Sequence, residues 1–316
     1  MRKALLIGID DYSFSPLVGC IRDVEKLSML LSRDFDETPN FTCKKLISSE
    51  VEIDILTLKE AIVELFENKT EVALFYFSGH GSEKDKYENA CLVTQDAAAA
   101  NSGVDLDFLL KTASESAATE VVIILDCCFS GSLGNPSFLE KMSHLREGIS
   151  ILTSSHENQV SMAGVNGSVF TDMVCNALEG GSADTIGLVT VAGIYSYADK
   201  LLGPWDQRPI FKCNLSKMMS LRRCKPIIPL HTLRQLPIYF NNQDDIYKLD
   251  PSYEPDADPR GHDNEKIFED LQRFNRGSLL HPVDSEHMYY AAINSKSCIL
   301  TPLGKYYWQL TKEGKI

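Results

Sequence analysis

The sequence predicts an α/β fold: a mostly parallel sheet flanked by helices, with a small C-terminal helical module that carries a short strand. Three observations carry this. Apolar, β-rich runs at residues 72–77 and 121–125 have the length and composition of buried parallel strands, and each ends in small or glycine residues. Stretches with apolar residues at helical spacing lie between such runs, which implies parallel pairing through crossover connections. Beyond about residue 222 prolines and acidic residues break this pattern.

Taken in order, residues 3–9 form the first strand and Asp10-Asp11-Tyr12 turns away from it. Leu17, Ile21, Val24, Leu27, Leu30 and Leu31 mark one face of a helix over 17–31. Residues 41–47 read as a strand and 53–66 as a second amphipathic helix. The strand over 71–77 delivers Ser78-Gly79-His80-Gly81, and a charged rim loop follows over 82–89. Residues 90–94 read as a short strand and 96–103 as a loop. Asp105 caps a third helix with Leu109 and Leu110 on its inner face. The strand over 121–125 delivers Asp126-Cys127-Cys128-Phe129-Ser130-Gly131. After an irregular segment over 132–147, residues 149–153 form a strand, 169–178 a helix stopped by Gly180-Gly181, and 188–202 a helix weakened by Gly193.

These patterns divide the chain into a first domain over 1–222, a linker over 223–263 marked by Pro226, Pro229, Pro237, Pro251, Pro255 and Pro259, and a helical module over 264–316. In the module, 265–274 and 284–293 read as helices, and Thr301 caps a last one with Pro302 at its first position. Tyr289, Tyr290, Tyr306, Tyr307 and Trp308 read first as core anchors.

Composition narrows the function classes. A chain of 316 residues, 44% hydrophobic, can bury one large core or a core plus an appendage. A net charge of −13 argues against broad binding to nucleic acid or anionic membrane. The apolar run at the amino terminus stops at Asp10-Asp11, too short for a signal peptide, and no apolar stretch is long enough to span a membrane. Nine cysteines, an odd number without a Cys-x-x-Cys pair, fit a reducing cytoplasm and show no zinc ligand set.

The chemistry lies in the two strand-end motifs. Open α/β sheets bind ligands at the carboxyl ends of their strands, and a thiol and an imidazole presented there are the minimum for nucleophilic catalysis. Cys128 is the candidate nucleophile and His80 its base; the structural alternative is a buried cysteine beside a packed histidine. Side chains alternate along a strand, so Cys127 and Cys128 point to opposite sides. Asp126, two residues before Cys128, shares the side of Cys128. Gly79 and Gly81 allow a close backbone approach.

Ser-Gly-His-Gly followed about 50 residues later by a strand-end cysteine resembles the caspase and metacaspase cysteine peptidases, over roughly residues 1–215. The second motif is similar to Asp-Ser-Cys-His-Ser-Gly of the metacaspase and bacterial branch; the animal form Gln-Ala-Cys-Arg-Gly is absent. The resemblance implies a caspase-like fold and a cysteine endopeptidase, and it selects Cys128 over Cys127 as nucleophile. It also implies oxyanion donors in the N–H groups of Gly81 and Cys128. Asp23, in Gly19-Cys20-Ile21-Arg22-Asp23, and Glu157 match acids of that family and would join Asp126 in a pocket for Arg or Lys. The segment 207–211 matches a late strand of metacaspase-like domains, and Lys141 and Arg146 are candidate self-cleavage sites.

Metacaspases often use calcium, for which Asp10 and Asp11 are the candidates; turn and cap roles account for both, and no ordered oxygen-ligand loop is visible. The C-terminal module resembles a winged helix. Bacterial relatives of caspases often carry such an extra domain, many in antiviral defence, so the module is expected to sense a nucleotide-type molecule or a partner protein. Competing readings are a silent caspase-like scaffold that binds a partner, and a winged-helix DNA-binding regulator, which the acidic balance opposes.

Overall fold

The structure, a computed structural model, describes residues 1–83, 90–99, 102–127, 129–130, 145–154, 167–203, 208–255 and 262–316. The charged stretch 84–89, most of the segment after the second motif, Cys128, Lys141, Glu157 and Gln207 lie outside them. The chain forms two units, Met1–Ala183 with Leu188–Lys225, and Asp184–Gly187 with Pro226–Ile316.

The first unit runs β1 (Arg2–Gly8), α1 (Cys20–Ser32), β2 (Phe41–Ile47), α2 (Ile55–Glu67), β3 (Val72–Ser78), β4 (Gly81–Glu83), β5 (Ala90–Val93), β6 (Gly103–Asp105), α3 (Leu106–Glu115), β7 (Glu120–Asp126) and β8 (Phe129–Ser130). It continues with β9 (Ile149–Thr153), α4 (Val169–Asn176), β10 (Leu188–Thr190), α5 (Val191–Leu201), β11 (Ile210–Asn214) and β12 (Ser220–Arg223). The main sheet has the order β11-β9-β7-β3-β1-β2. All its pairs are parallel except the antiparallel edge β11 on β9.

Alternation along each strand explains the layers. Leu5, Ile7, Phe75, Phe77, Ile123 and Leu125 pack toward α2 and α3. Ala4, Leu6, Leu74, Tyr76, Val122 and Ile124 pack toward α1, α4 and α5. With both faces covered, β3 is buried at all seven residues, so it reads as a continuous apolar run. A second sheet, β6-β5-β4-β8, stands beyond the carboxyl ends of β3 and β7.

Two expected helices differ. Residues 188–190 are a strand, and Thr190 caps α5 by accepting from the N–H of Gly193. That glycine therefore sits in the capped first turn rather than in the helix interior. The helix expected from 284 begins at Met288 (Met288–Ile293), because Asp284 takes a left-handed backbone conformation at φ 53°.

The expected linker over 223–263 is corrected as well. Its residues 226–255 belong to the second unit, where Leu233, Leu236, Phe240, Leu249 and Tyr253 join Phe268, Leu271, Phe274, Tyr307 and Trp308 in one core. The prolines begin short helices instead of extending a tether: Pro229 precedes Leu230–Leu233, and Pro237 stands in the first turn of Leu236–Tyr239. A three-stranded antiparallel sheet completes this unit, with Ser297–Leu300 between Ile246–Lys248 and Leu280–Val283. Thr301 caps the last helix, Pro302–Lys312, as expected. Tyr307 and Trp308 are core residues, and the Trp308 indole donates to the carbonyl of Phe240 at 2.6 Å, whereas Tyr289, Tyr290 and Tyr306 are exposed. Among the described residues no helix is long and apolar enough to cross a membrane.

Because Phe240 is buried in a core and not tethering two domains, Phe240→Ala is expected to destabilise the second unit by roughly 3–5 kcal/mol, read as a drop in its thermal or urea transition. A shift within error of zero would restore the linker reading.

Candidate active site

The first motif leaves β3 at Ser78, and His80 stands between β3 and β4, half-buried. Its Nε2 is 2.7 Å from the carbonyl oxygen of Ser15. A carbonyl only accepts, so Nε2 carries a proton, and in the neutral ring Nδ1 is the nitrogen that keeps its lone pair. The imidazole is flanked by the rings of Tyr12 and Phe14, with centroids at 4.6 and 5.4 Å.

The second motif leaves β7 on the neighbouring strand. The pairing has one register throughout: residue n of β3 stands beside residue n + 48 of β7, ending at Ser78 beside Asp126. The parallel pair β4–β8 resumes the same offset, with Gly81 beside Phe129 and Ser82 beside Ser130. The residues on both sides of His80 are thus paired with residues on both sides of Cys128. Cys127 is 3% exposed and packs with Leu125 against the α2–α3 face, as its alternation requires.

Asp126 turns to the opposite face. The Thr171 hydroxyl donates to Asp126 Oδ2 at 2.5 Å, and Tyr76 Oη lies 2.6 Å from Thr171 Oγ1. Thr171 has one hydrogen to give, so Tyr76 donates to it and a relay runs from Tyr76 through Thr171 to Asp126. Asp23, on α1, is 2% exposed and accepts from the Ser168 N–H at 3.1 Å, at the start of α4. Gly167 presses its backbone against this carboxyl; a Cβ there would lie 2.4 Å from Asp23 Oδ1. Burial, reinforced by the negative charge of Asp126, pushes the Asp23 carboxyl up to about 8. Burial raises Asp126 too, opposed by hydrogen bonds from Thr171, Ser168 and Ser154.

The structure therefore brings His80 and Gly81 to the strand edge that also carries the flanks of Cys128, and it brings Asp23 and Asp126 together behind that edge. Asp10 Oδ1 accepts from the Cys20 N–H at 2.9 Å, at the start of α1, and Asp11 Oδ2 accepts from Ser48 Oγ, just after β2, at 2.8 Å. Among the described residues no cluster of His, Cys, Asp or Glu is arranged to hold a metal ion. The Arg146 guanidinium is engaged with the carbonyls of Ser116, Ala118 and Glu147 at 2.7–3.2 Å, beyond the end of α3. Tyr12, Ser15, Ser168 and Thr171 escaped the sequence reading. A main-chain carbonyl such as that of Ser15 has no sequence signature, and the others act across 45 residues or more.

Comparison with known proteins follows the geometry. A family model described as the caspase domain matches residues 1–220. No curated protein matches the chain. Among solved structures, protein GSU0716 from Geobacter sulfurreducens is similar with a TM-score of 0.53 at 14% identity, over 72% of this chain and 98% of that one. Caspase-1 from Spodoptera frugiperda is similar with a TM-score of 0.50 at 14% identity, over 71% and 90%. At such identity these likenesses establish the fold.

The buried acid has a testable signature. Asp23 holds its proton more tightly folded than unfolded, so it favours the folded state fully below about 3.8 and loses that contribution as pH rises through about 8. Asp23→Asn keeps an acceptor for Ser168. Its stability relative to wild type is expected to climb between pH 4 and 8, by up to roughly 1.4 kcal/mol per unit, and to level off above. Chemical denaturation at several pH values checks this; a pH-independent difference would contradict the buried pair.

Proposed function

The chain belongs to the caspase-domain family, and we propose that it is a cysteine endopeptidase that cuts after Arg or Lys with Cys128 as nucleophile and His80 as base. The observation that carries this reading is the shared register of the two strand ends, which pairs the neighbours of His80 with those of Cys128. A free thiol is only a few per cent ionised at neutral pH, so it needs the adjacent base. In the proposed reaction Nδ1 of His80 takes the Cys128 proton, and the thiolate adds to the peptide carbonyl. The N–H groups of Gly81 and Cys128 receive the developing oxyanion. The imidazolium then protonates the departing amine, and water, deprotonated by the same ring, hydrolyses the thioester. The Ser15 carbonyl supports the ring while it is charged, because its bond to the Nε2 proton strengthens with positive charge.

The specificity proposal rests on Asp23 and Asp126. Each raises the cost of ionising the other, and a guanidinium or ammonium entering beside them removes that cost. Asp126, the less buried of the two, would meet the cation, with Asp23 adding charge from behind it and Glu157 from beyond the described residues. Calcium takes no step in this scheme.

We assign the Pro226–Ile316 unit a regulatory part, answering to a nucleotide-type molecule or a partner protein; its separate core beyond the caspase-domain match supports this. A bacterial setting in antiviral defence and a cytoplasmic location belong to the same proposal.

Fluorogenic peptides ending in Arg, Lys or Asp test the proposal, run with and without candidate nucleotides and calcium, with Cys128→Ala as control. Arg and Lys peptides are expected to be cut and Asp peptides spared, and Cys128→Ala to be inactive. Asp126→Asn is expected to lower kcat/KM for the Arg peptide by at least about thirtyfold, the effect of removing one partner of a buried charge pair. Faster cleavage after Asp would overturn the pocket assignment, and undiminished cleavage by Cys128→Ala would overturn the nucleophile.

A further inference from the structure

We propose that Tyr12 is a positioning residue for His80, acting through a hydroxyl inserted into the backbone ladder at the strand end. This rests on the reading of His80 as the base.

The observation is a broken pair of ladder bonds. Val93, at the end of β5, donates its N–H directly to the His80 carbonyl at 3.0 Å. Two antiparallel residues facing each other in this way would ordinarily exchange a second bond, from the His80 N–H to the Val93 carbonyl. Instead the Tyr12 hydroxyl occupies that place. It accepts from the His80 N–H at 3.0 Å and donates to the Val93 carbonyl at 3.1 Å. One hydroxyl satisfies both groups, using its donor and an acceptor at once. The pair is thus joined by one direct bond and one bond routed through the hydroxyl, and His80 lies just outside the regular strand β4.

The insert fits only because residue 79 has no side chain. A Cβ at Gly79 would stand 2.5 Å from the Tyr12 hydroxyl. The middle residue of Ser78-Gly79-His80 thus has a purpose beyond turn geometry: it is the gap through which the hydroxyl reaches the ladder.

Tyr12 also governs the ring. It is 2% exposed, packed in the core on the α2–α3 side, and its own ring lies 4.6 Å from the imidazole. Ser15, whose carbonyl accepts from the Nε2–H, is three residues further along the chain. Anchoring Tyr12 therefore holds the backbone of His80, one face of its ring and the acceptor that selects its tautomer. Tyr12→Phe keeps the aromatic body and removes only the oxygen. The His80 N–H and Val93 carbonyl are then free to close on each other, drawing the imidazole away from Ser15.

The test uses the full chain with ¹⁵N-labelled histidine. Long-range ¹H–¹⁵N spectra at pH 8 report the His80 tautomer, and peptide hydrolysis reports kcat and KM. Wild type is expected to show the Nε2–H form alone, and Tyr12→Phe a mixture of tautomers. Its kcat is expected to fall roughly tenfold to a hundredfold with KM within about twofold, the scale of loss when a catalytic group is displaced by about an ångström. Gly79→Ala, which pushes the hydroxyl out while retaining Tyr12, is expected to reproduce the mixed tautomers and stands in if Tyr12→Phe does not fold. The tautomer signal decides: an unchanged Nε2–H form in the variant, or a different form in wild type, overturns the proposal whatever the activity. Mixed tautomers in a variant of a protein that cuts no peptide would uphold the positioning role and count against the peptidase reading alone.

Discussion

The pairing of β3 with β7 is the constraint on which the rest of the structure depends. A parallel ladder admits no gradual adjustment, because a slip of one residue turns every side chain to the other face. Here the buried faces leave no choice: Phe75 and Phe77 must meet α2 and α3, and Tyr76 must meet α4. The core therefore dictates the register, and the register carries Ser78 to the side of Asp126 and Gly81 to the side of Phe129. Packing far from the cleft decides which two strand-end motifs face each other.

The same alternation sorts the chemistry by face. Cys127 goes with the apolar layer around α2 and α3, and Asp126 goes with Tyr76, Thr171 and Asp23. Two carboxyls this close, one buried and one partly buried, repel one another and lose hydration, which raises the cost of ionising them unless protons or a cation intervene. Hydrogen bonds from Thr171 and the Ser168 N–H offset part of this.

The second unit shows how proline can mislead. In the sequence Pro229 and Pro237 mark a linker, yet both stand at helix starts, where the absent N–H costs nothing. The buried residues of that stretch are separated by turns and short elements, so no single period of 2 or 3.6 runs through it. Its apolar residues are buried by partners far along the chain, Phe268 and Trp308 among them.

The sequence by itself determined the α/β class, the strand-helix alternation of the first unit, and the strands that end at Ser78 and Asp126, just before His80 and Cys128 in the chain. These depend on local periodicity and on glycine and proline at particular places, and both are written residue by residue. Capping by Thr301 was legible for the same reason. Only the tertiary structure decided that Tyr12 inserts its hydroxyl beside His80, that the Ser15 carbonyl selects its tautomer, and that Ser168 and Thr171 tie down the buried acids. It also decided that residues 226–255 belong to a core. Each of these is a contact between segments far apart in the chain. No local pattern encodes such a meeting, because its energy exists only once the sheet has brought the segments together.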